Sequence, residues 1–222
     1  MSAVIVDHMD AINHLPAGGT LTLCEIDWDE YEQLLEQLSN HGNLRLNYNQ
    51  GRLEIMSPSA KHEKYKNLLH DLVVILGDEL EQDVFSYGSV TLKLKSGNRG
   101  AEGDDCFYIQ HASQVAGKDR LDLTFDPPPD LLIEIDLSSE SSTKFAIYSA
   151  VGAPETWRYD GINWQIWTLQ GQDYKLAAHS LAFDFLNADQ IAEFIVQSET
   201  DGPYKARRAF IAAIKDSRRS ST

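Results

Sequence analysis

The run LLIEI at 131–135 constrains this chain more than any other stretch, because it sets a carboxylate, Glu134, inside an otherwise apolar segment. Pro127, Pro128 and Pro129 stand just before it and break any helix. The run therefore reads as a buried strand. Side chains alternate faces along a strand, so Leu131, Ile133 and Ile135 share one side, and Leu132, Glu134 and Asp136 the other. A carboxylate buried in mid-strand is costly unless a cation or several donors compensate it. A second stretch, AEGDDCFYI at 101–109, crowds Glu102, Asp104 and Asp105 at the mouth of another apolar strand. If the two strands are neighbours, Asp104 and Glu134 converge on one point, and two hard oxygen ligands completed by water suit Mg²⁺ or Mn²⁺. Lys144 falls early in the next helix, four positions before Tyr148, and can reach back to the same point. The blander alternatives are a buried salt bridge for Glu134, loop charges for Glu102, Asp104 and Asp105, and a solvated helix position for Lys144.

The rest of the chain supplies a frame for these strands. Residues 27–42 predict a helix, with Asp27 as cap, an apolar stripe of Tyr31, Leu34, Leu35 and Leu38, and Gly42 as stop. Two alternating runs around Asn49, Gln50 and Gly51 predict a hairpin. Ser59 to about Gln82 reads as a long amphipathic helix with Tyr65, Leu68, Leu69, Leu72, Val73 and Leu76 inward. Strand candidates follow at 84–89, 90–95 and 105–109, the last after the glycine-bearing SGNRGAEG, and then a polar loop from His111 to Asp126. After the 131–135 strand come a capped helix ending at Gly152, a strand at ETWRYDG, a late hairpin over 163–180 and two terminal helices. Alternating helices and strands with flanking hairpins predict a mixed sheet covered by helices, in the α/β (α+β mixed) class. At 222 residues one domain spanning 1–222 is expected, with its core over about 25–165 and the hairpin and helices of 163–220 appended.

Composition narrows the function classes. No apolar run approaches the roughly 20 residues of a membrane span, and an N-terminus carrying Asp7 and Asp10 with no basic stretch argues against a secretory signal. Cys24 and Cys106 are the only cysteines and suggest reduced, buried thiols in a cytoplasmic protein, with one disulfide left open. Nineteen Lys and Arg against thirty-four Asp and Glu give a formal net charge of −15. That lowers the expectation of tight non-specific DNA binding, although a local basic stripe can still bind phosphate.

An ordered set of residues carries a resemblance. Asp104 before a short strand, Pro129, Asp130 and Glu134, then Ser138, Lys144, Tyr148, Gly152, Pro154, Glu155 and Trp157 are similar to the Uma2 family, a group named as endonucleases within the PD-(D/E)XK superfamily. The likeness covers most of 25–165 and includes the upstream LEIMSPSAKHE. It implies a restriction-endonuclease-like fold, Asp104 and Glu134 as ligands of a divalent metal, and Lys144 as a catalytic lysine displaced onto the helix. Glu54 would be a third acidic contributor. Two departures stand out: Gly103 replaces a frequent proline and suggests a looser turn, and Asp136 occupies the position where many superfamily nucleases carry lysine. Asp136 is either a third carboxylate near the metal or a solvent-facing strand end.

By that likeness the expected chemistry is Mg²⁺- or Mn²⁺-dependent hydrolysis of a phosphodiester of nucleic acid, with DNA as the substrate and a homodimer as the form that cuts two strands. His62, at the start of the long helix, reads as a capping or packing histidine with an accessory role as the alternative. Lys61, Lys64 and Lys66, then Lys93, Lys95 and Arg99, and the tail from Lys205 to Arg219 are candidate nucleic-acid contacts, each a solvated face if taken alone. The remaining histidines lack metal-ligand spacing, and no Walker A, dinucleotide or nucleophile-elbow motif is present. Two other readings stay open: a nuclease fold without catalysis serving in binding or assembly, and a metal-dependent phosphoesterase on small nucleotides.

Overall fold

The computed structural model describes residues 3–38, 44–137 and 142–220. Along the first half run α1 (Ala3–Asn13), β1 (Thr20–Leu23), α2 (Trp28–Leu38), β2 (Arg45–Asn49), β3 (Arg52–Met56) and α3 (Ala60–Leu80). Short elements follow: β4 (Phe85–Ser86), β5 (Thr91–Leu94), β6 (Arg99–Glu102), β7 (Asp105–Tyr108) and α4 (Ala112–Val115). The second half holds β8 (Leu131–Ile135), α5 (Ser142–Val151), β9 (Glu155–Tyr159), β10 (Trp164–Gln170), β11 (Asp173–Leu176), α6 (Ala188–Thr200) and α7 (Pro203–Ser220). None of the described helices is long and apolar enough to cross a membrane.

Two sheets form where a single mixed sheet with hairpins was expected. The first is antiparallel in the order β1-β3-β2-β6-β5, and the second runs β11-β10-β9-β8-β7-β4. In the second only β8 and β9 pair in parallel, with α5 as the crossover between them. Four elements escaped the sequence reading: α1, β1, β6 and α4, the last inside the stretch from His111 to Asp126 read as a polar loop. Strand β6 lies in the glycine-bearing stretch to which no element was assigned, yet it joins β2 to β5 and so builds the first sheet. Gly42 and Ser138 fall outside the described residues. Cys106 is buried, but Cys24 is exposed, which corrects the expectation of two buried thiols; both are free.

Helix α3 shows why the chain folds as it does. Ser59 caps it by accepting from the His62 amide at 3.2 Å. Its apolar residues recur at helical spacing, and Leu69, Leu72, Val73 and Leu76 become fully buried against Phe107, Leu131, Ile133 and Trp157. Each such side chain contributes about 1.5–3 kcal/mol. This core covers one face of the second sheet. A second core joins Tyr31 and Leu34 of α2 to Tyr48 and Leu53 of the first sheet. The third packs Ile147 and Tyr148 of α5 on Leu92 and Ala101 of the first sheet and on Cys106 and Leu132 of the second. Helix α5 is thus wedged between the sheets, and the functional residues gather there.

Gly100 explains why β6 looks like a loop. Tyr31 is buried and stacks on Tyr48, their ring centroids 4.6 Å apart. A Cβ at Gly100 would lie 2.3 Å from Tyr31 Oη and 2.9 Å from its Cζ. The strand uses glycine because an aromatic ring occupies the space. Gly100→Ala is expected to cost about 1–3 kcal/mol through this overpacking, read as a lowered urea midpoint. An unchanged midpoint would mean that Tyr31 moves aside freely.

Candidate metal and catalytic site

Strands β7 and β8 are antiparallel neighbours, with Asp105 opposite Ile133, so Asp104 arrives beside Glu134. The Asp104 amide donates to the Ile133 carbonyl at 3.1 Å, and Asp104 Oδ2 accepts from the Ile135 amide at 2.7 Å. Both carboxylates are fully buried. Of the three acids at this strand entry, Asp104 alone turns to Glu134. Glu102 lies on the opposite face, accepting from Thr91 and the Leu46 amide. Asp105 points towards α3, held by His70, Ser86 and its neighbouring Cys106 amide. The turn at Gly103 is not loose. A Cβ there would sit 3.5 Å from Tyr148 Oη and 3.6 Å from Glu134 Oε1, so the backbone is packed on the site.

Helix α5 brings two groups to Glu134 from one face, because residues four apart lie one turn above each other. The Lys144 ammonium donates to Glu134 Oε2 and the Tyr148 hydroxyl to Oε1. Lys144 is buried, not a solvated helix lysine. His62 reaches in from the first turn of α3, its Nε2 3.0 Å from Asp104 Oδ2. Asp136 is buried on the Glu134 face, and Arg158 Nε donates to its Oδ2 at 2.6 Å. Arg158 stands opposite Glu134 in the parallel β8–β9 register. Where many superfamily nucleases place a lysine, this chain therefore has a carboxylate neutralised by an arginine from the next strand.

The charges explain the proton affinities. Burial pushes the Glu134 carboxyl up, Lys144 opposes, and Asp104 and Asp136 add to the rise, leaving it at about 8. Burial would raise Asp104 as well, but Lys144, His62 and the Ile135 amide outweigh it and hold that carboxyl below its usual range. Burial alone would lower Lys144, yet Glu134, Asp104 and Asp136 push it well above the ordinary lysine value. Tyr148 is raised by burial and by Glu134. Three carboxylates (Asp104, Glu134, Asp136) face two permanent cations (Lys144, Arg158), and a proton on Glu134 makes up the difference.

That deficit is one a cation can fill. Asp104 Oδ1 and Asp136 Oδ1 are buried and have no hydrogen-bond partner among the described residues, so hard oxygen donors stand open where positive charge is lacking. Among the described residues no group of three or more His, Cys, Asp or Glu side chains is arranged to hold a metal ion. A cation here would draw on Asp104 and Glu134, with water or backbone oxygen completing its shell. The residues fit a divalent ion.

The other sequence candidates are held by partners outside this cluster. Glu54 is on the first-sheet face that turns towards α5, opposite Asn47 and in line with Ala101, but Arg52 Nη2 holds its carboxylate at 2.7 Å. Lys64 pairs with Glu199, Lys66 with Glu63 and Lys93 with Glu32. Lys95 lies near Asp29 and Glu32, and Lys61 over the Tyr65 ring. Arg99 donates to Asn49 and the Ala146 carbonyl. In the tail, Arg207 meets Asp71 and Lys215 meets Glu79, so α7 binds α3 through these pairs. Tyr148 and Arg158 were not picked out as site residues, although the four-residue step from Lys144 to Tyr148 was a usable signal.

A mixed α/β core in which α5 bridges a parallel strand pair beside a buried acidic cluster defines a restriction-endonuclease-like protein. Comparison with protein families matches residues 28–197 to Uma2, described as "Putative restriction endonuclease", and the chain belongs to that family. No curated protein matches it.

Proposed function

We propose that this protein is a Mg²⁺- or Mn²⁺-dependent endonuclease that hydrolyses phosphodiester bonds of DNA, acting as a homodimer in the cytoplasm. The observation that carries the reading is the meeting of Asp104 and Glu134 across β7 and β8, with Lys144 on Glu134 and an open oxygen on Asp104. A bound divalent ion would supply a water of lowered pKa and charge neutralisation at the phosphate. The protein's own residues do the rest. The Ile135 amide and His62 fix the orientation of Asp104, and Tyr148 steadies Glu134. Lys144, held at Glu134 Oε2, would orient the attacking water and face charge developing on the phosphate oxygens.

The ion-paired lysines and the net charge of −15 favour a second reading, a phosphoesterase acting on small nucleotides, which tolerates a negative surface better than long DNA does. One set of assays separates the two. Calorimetry of Mg²⁺ and Mn²⁺ binding, plasmid nicking and hydrolysis of mononucleotide esters are run on wild type and Glu134→Ala. Metal binding with nicking, both lost in the variant, is the expected result. Ester hydrolysis without nicking selects the second reading, and wild type that binds no metal overturns both.

A further inference from the structure

The first turn of α3 carries His62 and Glu63 side by side, and its backbone is pinned. Ser59 Oγ accepts from the His62 amide at 3.2 Å, and the Ser59 carbonyl from the Glu63 amide at 3.0 Å. Neighbours on a helix point about 100° apart, so the two side chains face different sheets. His62 turns to the second sheet, its Nε2 3.0 Å from Asp104 Oδ2. Glu63 turns to the first, its Oε1 3.6 Å from Arg45 Nη2 at the start of β2. The same oxygen lies 3.5 Å from His62 Nδ1. Arg45, Glu63, His62 and Asp104 thus form one line from the first sheet to the metal site.

The far end of this line is anchored independently of Asp104. Arg45 is 6% exposed, and its Nη1 donates to the Leu44 carbonyl at 3.1 Å. Glu63 Oε2 meets Lys66 at 2.8 Å, which leaves Oε1 to face the ring. His62 is buried, and neither ring nitrogen has a hydrogen-bond partner among the described residues. Its hold on Asp104 is therefore electrostatic and depends on where the ring is set. Asp104 Oδ2 is taken by the Ile135 amide and approached by His62, so Oδ1 is the oxygen left open. The outer partners of a ligand orient it and tune its metal affinity. We infer that Glu63, backed by Arg45, sets the His62 ring and through it turns Asp104 so that Oδ1 is the oxygen offered to a divalent ion. Glu63 and Arg45 are positioning residues that act on Asp104 through His62. The inference rests on the nuclease reading and extends its metal site to the first sheet.

The test is a double-mutant cycle on Mg²⁺ binding, measured by calorimetry on wild type, Glu63→Gln, His62→Gln and the double variant. Glutamine keeps the size of Glu63, whose side chain is 37% exposed, so the fold is expected to hold. Glu63→Gln is expected to weaken Mg²⁺ roughly tenfold and His62→Gln roughly ten- to hundredfold, the usual cost of losing an outer partner. The double variant should bind no more weakly than His62→Gln alone. Glu199→Gln, which breaks the ion pair of Lys64 next to Glu63 on α3, should leave the affinity unchanged. Unaltered affinity in Glu63→Gln, losses that add in the double variant, or an equal loss in Glu199→Gln overturns the relay even where nicking upholds the nuclease. Should His62→Gln fail to fold, Glu63→Gln against Glu199→Gln decides. The metal-free protein gives a second readout, the ¹³C signal of the Asp104 carboxyl. It should move in Glu63→Gln and stay in place when the same change is made in His62→Gln. If wild type binds no Mg²⁺, the nuclease reading falls and this signal decides the relay alone: one that ignores Glu63 overturns it.

Discussion

Asp104→Asn is expected to reduce metal-dependent nicking by at least roughly 10²–10³-fold, the usual cost of removing one charge-stabilising group from a site of this kind. The fold should survive. The asparagine oxygen can still accept from the Ile135 amide, which Asp104 now meets at 2.7 Å. The buried oxygen that has no partner in wild type becomes an amide nitrogen, and the site loses one of three crowded negative charges. Asp104 raises the proton affinity of Glu134, so the variant moves Glu134 down from about 8 towards the ordinary carboxylate range. The acid limb also changes. The folded Asp104 carboxyl is held below its unfolded value, so it contributes stability above pH 3.8 that is lost as pH falls through the folded value. The variant lacks that contribution. Denaturation near neutral pH should then show a lowered midpoint, the difference from wild type closing as pH falls below the folded Asp104 value, alongside weakened Mg²⁺ binding. Nicking that persists in Asp104→Asn would transfer the ligand role elsewhere.

How much of this was legible in the sequence depends on the range of the interaction. Helix α3 and strand β8 could be read directly, because helical spacing and an apolar run after three prolines are local signals. That β7 and β8 are neighbours was the condition on which Asp104 and Glu134 would converge, and the register meets it: Asp105 faces Ile133. Strand β6 was missed because its glycine answers to Tyr31, about seventy residues away in sequence, and a glycine taken alone argues for a loop. The Asp136–Arg158 pair was hidden for a similar reason. It exists only because β8 and β9 run in parallel with Glu134 opposite Arg158. His62 looked like packing in a one-dimensional view. Its reach to Asp104 depends on the angle at which α3 crosses the second sheet, which no helical pattern specifies. Arg45 stood on the polar side of an alternating strand and gave no sign that it would be enclosed.

Lys144→Met tests the charge balance of the site most severely. The pair with Glu134 is buried on both sides, 4% and 0% exposed, and removing one partner of such a pair costs about 3–5 kcal/mol because the other charge stays buried. The cost should depend on pH, and its sign follows from Glu134. In the folded wild type burial pushes its carboxyl up to about 8, from an ordinary 4.5. The folded protein therefore holds a proton that the unfolded chain releases. The resulting stability is full below 4.5 and lost as pH rises through 8. Lys144 is the main influence opposing that rise, so the methionine variant carries Glu134 higher still and extends the window of loss upwards. Urea denaturation should show a modest deficit near pH 5, where Glu134 is protonated in both proteins. The deficit should grow to about 3 kcal/mol or more above pH 8, where only wild type can ionise Glu134 beside a cation. Nicking should fall together with the lysine at every pH. A deficit that does not vary with pH would mean that Glu134 is ionised throughout. The positive charge missing from the site would then be supplied by something other than its proton.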